Sequence, residues 1–226
     1  MVPHLICFGD SLTAGYQSSG FGVAASVDTP YGGFLQSWLG SRGKVSVSGI
    51  CGEVTREMKA RFHRDVIGHH PSAVVILGGT NDLGCGVAPS SIMKNLEDLY
   101  RQALNADIRA VGVTVPSIYV EDEALKESDE MSESVAPQLP EWMQSHIAHR
   151  RTLNRMILET CRGLKMSCVD LFKGTAEGPH GLLAPVYSND GLHLSALGYE
   201  RFAELVWQVL FESRFGAPTK QHLPDG

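Results

Sequence analysis

Two short stretches of this 226-residue chain carry residue types that can move a proton and attack a carbonyl. Near the start, Ser11 stands in Gly9-Asp10-Ser11-Leu12-Thr13; near the end, Asp190 and His193 stand three residues apart in Asp190-Gly191-Leu192-His193. A serine hydroxyl becomes a nucleophile when an imidazole takes its proton and a carboxylate orients that imidazole. Three residues apart in a turn, Asp190 can accept from one ring nitrogen of His193 while the other faces Ser11. Acyl transfer also needs donors aimed at the developing oxyanion. Gly52 offers a backbone N–H, Asn81 in Gly79-Thr80-Asn81-Asp82 a side-chain amide, and Ser11 its own N–H. Asp10 and Asp82 are possible supporting groups, and Asp82 reads first as a cap for the helix that follows it. The nucleophile elbow of the α/β-hydrolases is absent, because Thr13 stands where Gly-x-Ser-x-Gly requires glycine.

Something must bring these separated residues to one place. Five short apolar runs read as buried strands: His4 to Phe8, Val45 to Ile50, Ala73 to Leu77, Ala110 to Val115 and Met166 to Leu171. Helical spacing fills the intervals. Phe202, Leu205, Val206, Val209 and Leu210 share a face behind a Ser195 cap. Leu153, Met156, Ile157 and Cys161 share another behind a Pro140-Glu141 start, and Thr29-Pro30 reads as a cap plus first-turn proline ahead of Phe34, Leu35 and Leu39. Alternating strands and helices imply a parallel sheet covered on both faces. In such a sheet the loops leaving the strand C-termini share one edge, where ligands bind, and each candidate residue stands in or beside such a loop. Residues 1–215 read as one domain, and 216–226 as a loose polar tail.

The four blocks, taken together, resemble those of the SGNH hydrolases, also called GDSL esterases and lipases: Gly-Asp-Ser-Leu at 9–12, a glycine block at 49–55, Gly-x-Asn-Asp at 79–82 and Asp-x-x-His at 190–193. They occur in that family's order. The resemblance implies Ser11 as nucleophile, His193 as general base, Asp190 as its orienter, and Gly52 with Asn81 completing the oxyanion hole. It also implies a three-layer α/β/α fold, with a doubly wound five-stranded parallel sheet in the flavodoxin-like order 2-1-3-4-5. The glycine block departs from the common pattern, with Val47, Glu53 and Val54 where many members carry Asn and then Asp-Thr, so Gly49 stands as the alternative to Gly52.

Charge narrows the partners. Residues 116–140 hold seven acids and one base, a net −6 that equals the formal charge of the whole chain. No basic stripe is left to collect phosphates, which argues against nucleic acid. This acidic stretch follows the fourth predicted strand and is long enough for a lid or rim at the catalytic edge; it reads equally as a solvated loop without substrate contact, and as a lid it would repel anionic substrates. The expectation is a metal-independent serine esterase with no cofactor, acting on neutral short- to medium-chain acyl esters. Acyl thioesterase, lysophospholipase and carbohydrate acetylesterase use the same triad, with Tyr16, Trp142 and Tyr187 as candidate sugar-facing aromatics; a flavodoxin-like binding module is the non-enzyme alternative. His69-His70, and His146 with His149, read as polar helix positions rather than metal ligands, and Gly20 to Ala25 fits a dinucleotide loop only superficially. Five cysteines without a CxxC pair read as small buried hydrophobes in a reducing, cytoplasmic setting, with Cys51 and Cys85 at the site's edge. The apolar start that runs directly into Gly9-Asp10-Ser11 reads as a first strand rather than a secretory signal.

Overall fold

The computed structural model of the chain describes residues 3–18, 28–119 and 139–218. Its frame is a five-stranded parallel sheet in the order β2-β1-β3-β4-β5, with β1 at His4–Gly9, β2 at Lys44–Gly49, β3 at Ala73–Leu77, β4 at Arg109–Val113 and β5 at Ser167–Val169. The strand order is the expected one. β3 (Ala-Val-Val-Ile-Leu) is buried along its whole length, because both faces of a central parallel strand are covered; β2 lies at an edge and is half exposed.

Helices cover each face. On one side α2 (Tyr31–Leu39) packs with α8 (Ala196–Leu210); on the other lie α3 (Thr55–Asp65), α5 (Pro89–Asn105) and α6 (Glu141–Gly163). The short α1 (Ser11–Ala14) and α4 (Thr80–Gly84) follow β1 and β3 directly. Ser195 caps α8 by accepting from the Gly198 N–H, and Pro140 stands at the N-cap of α6, both at the expected places. At α2 the expectation shifts by one residue. Pro30 is itself the N-cap, and the Thr29 hydroxyl instead accepts from the Gln17 amide at 2.7 Å.

The interval from β5 to α8 holds more structure than the sequence pattern suggests: α7 (Leu171–Thr175), then a two-stranded antiparallel hairpin of β6 (Ala176–Glu177) and β7 (Leu182–Leu183). A last short helix, α9 (Glu212–Phe215), follows α8. The main apolar core fills both interfaces of the sheet; a smaller cluster of Ile118, Leu139, Met143 and Ile147 lies under the start of α6. Only Cys7 and Cys161 are fully buried; Cys168 is half-buried, and Cys51 and Cys85 are exposed, against the expectation for all five. The two exposed thiols stand in loops at the sheet edge, where no layer covers them. No helix among the described residues is long and apolar enough to cross a membrane.

Candidate active site

The site starts from a close approach that only glycine allows. A Cβ on Gly9, the last residue of β1, would lie 2.3 Å from the Leu77 carbonyl oxygen and 2.4 Å from Thr13 Oγ1. The chain then turns at Asp10, whose Oδ1 accepts from the Leu12 N–H at 3.0 Å and so caps α1. Ser11 is the first residue of that turn, so its own N–H is not used inside the helix. Asp10 is wholly buried, and desolvation pushes its carboxyl up to about 7, although the Leu12 N–H pulls the other way.

Opposite Ser11, residues 188–195 form a compact turn. His193 Nε2 lies 3.2 Å from Ser11 Oγ, and His193 Nδ1 lies 2.8 Å from Asp190 Oδ2. With the proton on Nδ1 the ring donates to Asp190 and accepts from the serine hydroxyl, the arrangement a general base requires. Asp190 Oδ1 also accepts the Leu192 and His193 N–H groups at 2.9 and 2.7 Å. Burial pushes the Asp190 carboxyl up, but the imidazole and these two N–H groups outweigh it and hold the acid below its ordinary range.

Residues outside the expected triad and oxyanion set shape this turn. Ser188 Oγ donates to the His193 carbonyl at 2.6 Å and accepts the Gly191 N–H at 2.8 Å. Gly191 adopts φ +79° with a Cβ position only 1.7 Å from the Tyr119 carbonyl oxygen, while the Tyr119 N–H donates to the Gly191 carbonyl at 2.8 Å. Tyr16 sets its ring edge-on to His193 with centroids 4.7 Å apart, and its carbonyl accepts from the Tyr199 hydroxyl at 2.7 Å. The Ser188 bonds are local to the turn, whereas the Tyr119, Tyr16 and Tyr199 contacts cross the fold, and no local spacing announces those.

The oxyanion candidates come from the strands that flank β1. β1 pairs with β2 on one side and β3 on the other, so the loops carrying Gly52 and Asn81 stand on either side of Ser11. Gly52 has φ +78° and open space where a Cβ would be. Gly49 differs: its Cβ would lie 2.2 Å from the Ala14 backbone nitrogen, so it serves the contact between β2 and α1. Asn81 donates one amide hydrogen to the Glu53 carbonyl at 2.9 Å, which ties the two loops together and leaves its second hydrogen for another acceptor.

Asp82 does not cap the helix that follows it. It lies inside α4, 2 % exposed, and accepts the Thr55 hydroxyl at 2.7 Å and the Thr55 N–H at 2.9 Å, so it caps α3 from across the fold. Among the described residues no group of three His, Cys, Asp or Glu could hold a metal ion. Gly20 to Ala25 and the core of the acidic stretch, 120–138, lie outside the described residues.

A model of the GDSL-like lipase/acylhydrolase family matches residues 7–201, a span that contains all four blocks. The chain belongs to that family. As a GDSL-like acylhydrolase it is a hydrolase of the esterase type. Solved structures with the same fold include a lipase/acylhydrolase from Enterococcus faecalis, at 22% identity and TM-score 0.65 over 91% of this chain and 94% of that one. A variant of an acetyl-xylooligosaccharide esterase from Geobacillus Stearmophilus matches at 20% identity and TM-score 0.68 over 91% and 93% of the two chains. A carbohydrate acetylesterase from Sinorhizobium meliloti matches at 18% identity and TM-score 0.67 over 91% and 97%. Among curated proteins none matches this acylhydrolase by sequence.

Proposed function

We propose that the protein is a serine esterase that cleaves neutral short- to medium-chain acyl esters through an acyl-enzyme on Ser11. The observation that carries this reading is the unbroken relay from Ser11 Oγ to His193 Nε2 at 3.2 Å and from His193 Nδ1 to Asp190 Oδ2 at 2.8 Å. Ser11 Oγ attacks the ester carbonyl as its proton passes to Nε2. The oxyanion is held by the Ser11 and Gly52 N–H groups and the free hydrogen of the Asn81 amide. Collapse transfers the Nε2 proton to the leaving alcohol and leaves the acyl group on Ser11. Water then gives its proton to Nε2, attacks the acyl carbon and releases the acid, and the proton returns to Ser11. No metal or cofactor enters any step.

Uncharged substrates are favoured by the acidic stretch. Its described start, Pro116 to Tyr119, leaves β4, and the Tyr119 N–H donates to the Gly191 carbonyl in the triad's own turn; the seven acids follow directly in the sequence. A cytoplasmic setting belongs to the same reading and rests on five cysteines that are all free thiols. Residues 1–215 are read as one hydrolase domain. An acetylated carbohydrate is the second reading: Tyr16 lies edge-on against His193 and offers an aromatic wall at the site.

A fluorophosphonate probe tests the chemistry. It should add its mass to Ser11 and fail to do so in S11A; labelling that persists in S11A rules out the assigned nucleophile. A panel of p-nitrophenyl esters from acetate to palmitate, run beside an acetylated xylooligosaccharide and an acyl-CoA, then reads the substrate class. Neutralising five of the acids between 121 and 133 should raise the acyl-CoA to neutral-ester ratio of kcat/KM at low salt. An unchanged ratio removes the electrostatic part of the reading.

A further inference from the structure

We propose that Arg61 is the positioning residue of the oxyanion hole, holding in one register the main chain of the three loops that present donors to the substrate carbonyl. The inference rests on the reading of Ser11 as nucleophile and extends it to a residue on α3. Arg61 is 6 % exposed and lies beneath the site. Its guanidinium stacks on the Phe8 ring at 4.1 Å from the centroid, which fixes the plane in which its donors point.

The three nitrogens together span the site's floor. Nη2 donates to the Gly9 carbonyl at 2.9 Å, two residues before Ser11, and to the Ser48 carbonyl at 3.3 Å near the end of β2. Nη1 donates to Ser48 Oγ at 2.7 Å and to Asp65 Oδ2 at 2.9 Å. Nε and Nη2 together clasp the Glu53 carboxylate, at 2.7 and 2.9 Å from Nε and 2.5 Å from Nη2.

Glu53 is the hinge of the argument. It directly follows Gly52, and its own carbonyl accepts the Asn81 amide at 2.9 Å. A shift of the Glu53 carboxylate therefore moves the Gly52 N–H and re-aims Asn81 together, while a shift at Gly9 moves the Ser11 N–H. One planar, five-donor group binds the Gly9 and Glu53 lines directly and reaches Asn81 through the Glu53 carbonyl. Lysine has a single point charge with three donors and cannot hold that geometry. Stability alone is a weak reason for such a group, because a buried ion pair adds little over apolar packing of equal volume. Donors that must already point at the oxyanion before the reaction require fixed carbonyls and carboxylates.

R61K and E53D test this, each assayed well below its own Tm for kcat and KM on p-nitrophenyl acetate and for the Ki of an arylboronic acid. The boronic acid bonds to Ser11 Oγ as a tetrahedral adduct and so reads the oxyanion hole directly. R61K should lose about 10- to 100-fold in kcat with KM within about threefold, and its boronate affinity should fall in parallel with kcat/KM. E53D, which keeps the ion pair but shortens it by one methylene, should show the same pattern with a smaller loss, and it carries the test where R61K does not fold. Wild-type kcat and boronate affinity in the folded variants, whatever their Tm, overturn the inference and leave Arg61 as a support of the fold alone. A wild-type protein that neither hydrolyses p-nitrophenyl acetate nor takes a fluorophosphonate on Ser11 fails the catalytic reading itself, an outcome visible before any variant is made.

Discussion

Two groups of polar side chains support the site around Ser11, and they are built differently. On one side His193 and Asp190 are 19 % and 26 % exposed and owe their geometry largely to a short turn: Asp190 accepts the Leu192 and His193 N–H groups, and Ser188 closes the ring. On the other side Glu53 and Arg61 are each 6 % exposed, and their partners come from β1, β2, α3 and α4. The difference suits the proposed roles. A base that takes and returns a proton must reorient against a neighbouring hydroxyl and stay reachable by water, whereas oxyanion donors act best when they do not move at all. Solvent screens the first group; the second lies where hydrogen bonds are stronger and an unpaired group is more destructive.

The largest expected effect strikes the relay side. D190N keeps the shape of the turn but removes the charge that holds the imidazole in its tautomer, and kcat should fall by about 10³ to 10⁴. A loss under tenfold would mean that Asp190 merely shapes the turn. On the oxyanion side, N81A should lower kcat by about 10² to 10³ with little change in KM, read from initial rates on the preferred p-nitrophenyl ester. A change confined to KM would place Asn81 in ground-state binding. If both estimates hold, the relay loss exceeds the donor loss, as expected where one residue sets the nucleophile and the other is one of three donors.

The next comparison concerns how each side is held. G191A puts a methyl group where the Tyr119 carbonyl stands, 1.7 Å away, in a backbone conformation that favours glycine. The relay turn must part from the β4 loop, and kcat should drop about 10- to 100-fold. The fluorophosphonate labelling rate should fall with it; unchanged labelling would show that the turn is held from elsewhere.

Smallest, and sharpest in sign, is the pH dependence at Asp10. Its carboxyl titrates near 7 in the folded chain because burial disfavours the charge, and near the ordinary value of about 3.9 once unfolded. Between these values the folded state keeps a proton that the unfolded state has lost, so this group lowers stability as pH rises from about 4 to about 7. D10N cannot titrate. In urea unfolding it should gain on the wild type by up to about 1.4 kcal/mol per pH unit across that window, and a constant difference would place the Asp10 titration elsewhere.

Much of the site is legible along the chain because its parts are local. Gly9 before Ser11 states a close approach, Asp190 and His193 at a spacing of three state a hydrogen-bonded turn, and apolar runs such as Ala73 to Leu77 state buried strands. Parallel pairing then requires the ends of β1, β2 and β3 to share an edge, because helical crossovers return each strand in the same direction. Asp82 is the instructive exception: its local pattern reads as a cap for the following helix, yet its partner is Thr55, 27 residues back.

What the chain alone determined was the set of candidate reactive groups, the sheet that gathers them and the order in which they arrive. What only the folded molecule decided was how they are held: Glu53 between Arg61 and Asn81, Gly191 against Tyr119, and Tyr16 beside His193. Chemistry and periodicity are written in residue type and short spacing, which survive in one dimension. Those supports join residues far apart in the chain, and their partners are chosen only when the helices settle on the sheet and each buried donor must find an acceptor.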